Sequence, residues 1–161
     1  MTKKPVFASR FEEQIYDQLK KAGISPEYEP DTIEYHRRTR QTYCGDCGSK
    51  KTYKKAKYTP DFKIGKFYIE AKGYFKPEKR AAMEDFLRSN PSIDLRFVFG
   101  ADNWLTSKRV TKYSDWAKSL KVKYGIKTVP ENWIKEALRA ASRRRPLQDN
   151  GDPAGGVHLQ E

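Results

Sequence analysis

Residues 58–72 constrain the fold more than any other stretch of this chain. They read as two short strands, 58–64 and 66–72, with Gly65 between them as the turn residue. Phe67 and Ile69 alternate with Tyr68 and Glu70, the period of two expected of a strand with unlike faces. Pro60-Asp61 lies on the first strand, and Glu70-Ala71-Lys72 follows on the second after eight residues. Side chains two apart on a strand point the same way, so Glu70 and Lys72 share a face. The hairpin therefore gathers two carboxylates and an ammonium group at one edge of a sheet.

Carboxylates held within ~4–6 Å repel and raise one another's pKa. A divalent cation with hard oxygen ligands removes that penalty, which suits Mg²⁺. Such an ion can polarise a phosphodiester and lower the pKa of a water. Lys72 can then orient the water or stabilise charge developing on phosphate. Each residue also has a plain structural reading. Asp61 after Pro60 can form a turn, and Glu70 and Lys72 can line a solvated strand face. The combination argues for phosphodiester hydrolysis because the chain is strongly basic. It has 33 Lys and Arg against 21 Asp and Glu, a net charge of +12. Such a charge attracts polyanions, nucleic acid above all, although basic surfaces also serve solubility.

At 161 residues the chain is expected to form one compact domain, residues 9–145, with a flexible basic arm at 1–8 and a disordered tail at 146–161. Ser9 and Glu12 have the spacing of a capping box, and Phe11, Ile15 and Leu19 form the buried stripe of a first helix that ends at Gly23. Residues 26–43 read as strand broken by Pro30. Pro77 opens a helix that runs to about Ser89, residues 95–99 read as a buried strand, and residues 113–124 and 131–145 read as helices separated by a short strand or turn at 126–129. The expected class is α/β: a mixed central sheet of about four strands flanked by helices. No apolar run approaches a membrane span and no signal peptide is evident, so a cytoplasmic protein is expected.

Cys44 and Cys47 stand in Cys-Gly-Asp-Cys-Gly, a turn near residues 44–48. A pair is half of a four-ligand zinc site. Structural Zn²⁺ would need His36 or a second pair from another subunit, and a tight turn with free thiols is the preferred reading.

The motif resembles that of the PD-(D/E)xK nuclease superfamily. More narrowly, the chain is similar to the bacteriophage endonuclease I family of Holliday-junction resolvases. The similar segments run in order through residues 9–19 with Gly23-Ile24, then 27–29, 58–62, 67–73, 94–99, 124–127 and 130–136. The resemblance implies a restriction-endonuclease-like fold, exchange of elements in an intertwined homodimer, and cleavage of branched DNA with Mg²⁺ or Mn²⁺. It also implies a composite site. Asp61, Glu70 and Lys72 of one subunit would be joined by Glu12 from the first helix of the other, with Glu12, Asp61 and Glu70 as metal ligands. Read from the residues alone, Glu12 is first a capping residue. Candidate phosphate contacts are Arg10, Lys76, Lys79, Arg80 and Lys108, with Arg80 foremost. Trp104 and the group Tyr68, Tyr74 and Phe75 can stack on unpaired bases or pack a small core. The alternatives to junction resolution are a duplex nuclease or transposase-type subunit with the same catalytic group, and a non-catalytic basic DNA-binding protein.

Overall fold

The computed structural model describes residues 4–39, 42–44, 48–50 and 53–143. Its centre is a five-stranded sheet in the order β1 (Glu27–Tyr28), β6 (Phe62–Ile64), β7 (Phe67–Lys72), β8 (Asp94–Phe99) and β9 (Tyr124–Ile126). The first three strands pair antiparallel, and β7, β8 and β9 run parallel. The mixed α/β class is as expected, with one strand more. The extra strand is β9, which takes residues 124–126 in place of the expected helix end.

Four helices flank the sheet: α1 (Arg10–Lys21), α2 (Pro77–Ser89), α3 (Tyr113–Ser119) and α4 (Glu131–Ser142). The alternation in β7 decides which side each takes. Phe67, Ile69 and Ala71 point to one face, where Ile15 and Leu19 of α1 and Trp133 and Ala137 of α4 cover them. Tyr68 points to the other, where Phe86 of α2 and Trp116 of α3 pack on Leu95, Phe97 and Phe99 of β8. Strand β8 is buried on both faces, which is why it reads as a nearly unbroken apolar run.

Helix α3 stops at Ser119, short of the expected 124. Lys121 adopts a positive φ, and residues 124–126 are taken by pairing with β8. Gly125 is required there, because a Cβ would come within 2.7 Å of Pro130 Cδ. The amino-terminal segment also differs from expectation. From Lys4 onward it is docked: the Phe7 ring lies 5.0 Å from Tyr16 and 4.9 Å from Tyr28, and Lys4 pairs with Glu13 at 2.9 Å. A lone aromatic in a basic arm was enough to anchor it.

A second layer leaves the body as a hairpin. Strand β2 (Ile33–Arg38) pairs antiparallel with β5 (Tyr53–Tyr58), and β3 (Thr42–Cys44) pairs with β4 (Gly48–Lys50) beyond them. Cys44 stands opposite Gly48, and the turn expected between them lies outside the described residues. Cys47 and the side chain of Cys44 lie outside the described residues, as do the zinc alternative and the tail at 146–161. The outer edge of β2 is covered by α2. Asp85 accepts from Arg38 N at 2.9 Å, Ser89 accepts from His36 N at 3.0 Å, and Asn90 donates to Glu34 O at 3.2 Å. These side chains satisfy a strand edge that would otherwise be open.

Among the described residues Arg96 is the one cation inside the core, 0% exposed in the middle of β8. Its guanidinium lies 3.7 Å from the Phe67 ring centre and bonds both oxygens of Glu136 and both of Asp94. Burial opposes its charge, but those carboxylates outweigh it and raise its pKa. Arg96→Ala is expected to cost about 3 kcal/mol in urea unfolding, because it opens a cavity and removes a shared partner. Glu136→Gln should cost under about 1 kcal/mol, since Glu136 is half exposed.

Candidate active site

Three of the four expected catalytic residues meet at the carboxyl end of β7. Pro60 has no N–H and breaks the chain between β5 and β6, so Asp61 sits in the break, 8% exposed. Its Oδ2 accepts from Ala71 N at 2.7 Å, which ties it across to β7. Asp61 N in turn faces Glu70 Oε2 at 3.4 Å. Glu70 is 1% exposed and pairs with the Lys72 ammonium on the same strand face.

The electrostatics follow from this crowding. Burial, then the charge of Glu70, pushes Asp61 up to about 8, against a smaller opposing pull from Lys72. Burial works against the Lys72 charge, yet Glu70 and Asp61 outweigh it and hold the ammonium above its ordinary pKa. The site thus carries two adjacent carboxylates that cannot both be ionised cheaply and one cation that partly neutralises them.

Glu12 is near but turned aside. Ser9 Oγ donates to Glu12 Oε1 at 2.8 Å, and Tyr28 Oη and Ala8 N donate to Oε2 at 2.8 and 3.1 Å. Ser9 Oγ also accepts from Glu12 N at 3.1 Å, so the capping role is real. Glu12 still raises the pKa of Asp61, the smallest of the influences acting on it. Those bonds hold the Glu12 carboxylate away from Asp61 and Glu70. Helix α1 covers the face of β7 that carries Ile69, whereas Glu70 and Lys72 project from the other. Among the described residues, no three His, Cys, Asp or Glu side chains converge on one point.

One residue beside the carboxylates was not singled out by motif. The Tyr58 hydroxyl is buried, makes no well-directed hydrogen bond, and faces Glu70. Burial, then the Glu70 charge, holds the phenol well above its ordinary pKa. The donor set suits a hard divalent cation: two carboxylates side by side, one of them strained toward its acid form, and a hydroxyl with no partner. Asp61 and Glu70 would hold such an ion, with Lys72 free to leave Glu70. Tyr58→Phe should raise stability without metal by about 1 kcal/mol, because an unpaired buried hydroxyl is removed. Cleavage should fall by no more than about tenfold, the worth of one hydrogen bond.

Comparison with known proteins gives the arrangement a lineage. The sequence model of the family Phage endonuclease I matches residues 1–151. The chain belongs to the phage endonuclease I family. It is 28% identical over 132 residues to Endonuclease I of Escherichia phage T7, covering 81% of this chain and 79% of that protein. Membership makes the chain an enzyme, an endodeoxyribonuclease.

The remaining candidates of this phage endonuclease I chain lie around the same end of the sheet. Gly100 N bonds Lys72 O at 2.9 Å, so the loop after β8 and the loop after β7 rise together. Lys76 and Lys79 are exposed at the start of α2, Lys108 is exposed in the loop after β8, and Arg10 is exposed at the start of α1. Arg80 is different. Its Nη1 donates to the carbonyls of Phe75 at 3.0 Å and Leu105 at 3.3 Å, so part of its guanidinium fastens these two loops. Of the aromatics, Phe75 is core at 1% exposed, whereas Tyr74 at 71% and Trp104 at 42% are open. A depression of about 450 Å³ between Gly23, Ile64, Phe67 and Ala137 lies at the far end of β7 and holds no paired carboxylates.

Proposed function

We propose that the chain is a metal-dependent, structure-selective endodeoxyribonuclease that resolves four-way (Holliday) junctions and cuts branched DNA. The observation that carries this is the meeting of Asp61, Glu70 and Lys72 on adjoining strands of a strongly basic chain. Mg²⁺ or Mn²⁺ would supply Lewis acidity and an acidified water. Asp61 and Glu70 would bind it as oxygen ligands, and Glu12 would join them on turning from Ser9 and Tyr28. Lys72 would pass from Glu70 to the attacking water or to a phosphate oxygen.

A twofold dimer suits a junction because it offers two equivalent sites to a substrate of matching symmetry. The antiparallel pairing of β2 with β5 can be made within one chain or between two. Exchange of the segment up to β2 would keep every pairing and give each site its Glu12 from the other chain. A solution mass near twice 18.8 kDa is then expected. Among the described residues no helix is long and apolar enough to cross a membrane, and the host cytoplasm, where phage DNA lies, is the proposed place of action.

The deciding experiment is cleavage in Mg²⁺ of a four-way junction beside linear duplex of the same sequences. Cutting confined to the junction is expected. Equal cutting of both would replace junction selectivity with duplex nuclease activity, and no cutting of either would leave only a DNA-binding protein.

A further inference from the structure

Residues 33–58 hold eight Lys and Arg against two Asp and Glu, half of the net charge of +12 in about one-sixth of the chain. Their placement is not that of a loose charged loop. The inner face of the β2–β5 pair is apolar and fixed: the Tyr35 and Tyr58 rings lie 5.8 and 4.9 Å from Phe86 of α2. The β2 edge is sealed by Asp85, Ser89 and Asn90 as described above. Lys55 and Lys57 alternate with Ala56 and Tyr58 and so take the outer face, while Lys54, on the Tyr58 side, stands exposed toward the far end of the strand. Lys54, Lys55 and Lys57 of β5 are exposed and form no ion pair among the described residues. Arg38 is the contrast, since Asp85 holds it at 2.6 Å.

We infer that the exposed strand β5, through Lys55 and Lys57 on its outer face and Lys54 at its far end, is a phosphate-binding rail that holds the DNA arm leading away from the cleavage site. The inference rests on the DNA substrate proposed above. Geometry gives it direction. Strand β5 leads through Thr59 and Pro60 to Asp61, so the lysines recede from the catalytic carboxylate along the strand. Lys57 is four residues from Asp61 and Lys54 is seven, a reach of up to ~23 Å at ~3.3 Å per residue. That is about seven base pairs of duplex. Among the described residues the β5 edge pairs with no third strand, so alternate N–H groups of β5 also face outward. Lysines on an open edge can also serve only to prevent strand-to-strand association. The two roles differ in what salt does to DNA binding.

The test is binding of a labelled four-way junction in EDTA, followed by fluorescence anisotropy across a salt series. The variants are Lys54→Gln/Lys55→Gln/Lys57→Gln and the same positions changed to Arg. The control removes equal charge at the opposite end of the sheet and on α4: Lys21→Gln/Lys66→Gln/Lys135→Gln. Each phosphate contact contributes about 0.9 to the slope of log affinity against log salt. The Gln rail variant should lose about 2–3 from that slope and weaken at least about tenfold near 0.1 M salt. The Arg variant should keep the slope, and the control should change it by less than about one. An unchanged slope in the Gln rail variant, or an equal loss in the control, would overturn the rail. Mg²⁺ cleavage by the unaltered protein separates this from the wider reading. If it cuts no branched DNA while the rail variant loses its slope, the nuclease proposal falls and the rail stands. If it cuts and the slope does not move, the rail alone falls.

Discussion

Asp61→Asn is expected to slow junction cleavage by at least about 10³-fold while leaving junction affinity within about threefold. The replacement has the same shape, and its carbonyl can still accept from Ala71 N, now at 2.7 Å. What disappears is one of two anionic oxygens placed to hold a cation. A metal site that loses a charged ligand loses most of its Lewis acidity at the reacting phosphate. Lys72→Ala should act in the same direction by another route. It strips the counter-charge from Glu70, which is 1% exposed, and removes the cation available to the phosphate. Single-turnover cleavage with excess protein reads both, and gel shift in EDTA reads binding. Wild-type rates in either variant would remove that side chain from the chemistry.

The hairpin that carries these residues was legible because it combines two signals that rarely coincide by chance. The period of two in β7 is strict, with Phe67, Ile69 and Ala71 inward on one face and Tyr68, Glu70 and Lys72 on the other. Proline before Asp61 and glycine at 65 mark its break and its turn. The first helix was equally plain, since Ser9, Glu12 and Gly23 name both of its ends. Other features had no local signature. The sealing of the β2 edge depends on Asp85, Ser89 and Asn90, which are ordinary polar helix residues until the helix is placed. Arg96 did leave a trace, a cation within an apolar strand run that demands buried partners. Those partners, Asp94 and Glu136, lie 2 and 40 residues away. Tyr58 is beside the motif in sequence, but its unpaired hydroxyl is a fact of packing. Glu12 shows a different limit: one side chain can fit both a cap and a catalytic site, and spacing alone cannot rank them.

In metal-free protein, stability is expected to fall as pH rises from about 4 to about 8, and saturating Mg²⁺ should abolish the fall. Asp61 has a folded pKa of about 8 against an ordinary 3.8. Between those values the folded state keeps a proton that the unfolded chain has lost. Stability therefore declines with rising pH across this window and levels off above it. Relaxation of the pair would moderate the change to about 2–3 kcal/mol. Lys72 does not offset it. Its pKa is raised above 10.5, so its contribution persists through the whole window and is lost only in more alkaline solution. Asp94 and Glu136 are held low by Arg96, first through hydrogen bonds, and their contribution fades only as pH drops below about 4. A divalent ion binds the ionised pair and only in the folded chain, so near neutral pH it should displace close to one proton and stabilise by mass action. Urea midpoints at pH 5, 6.5 and 8, with EDTA or Mg²⁺, measure the effect, and calorimetry in buffers of different ionisation enthalpy counts the proton. Asp61→Asn should flatten the metal-free profile and make it indifferent to Mg²⁺. A midpoint that is level or rising between pH 5 and 8 in EDTA would mean that Asp61 and Glu70 coexist as anions without strain, and the electrostatic reason for a cation between them would be gone.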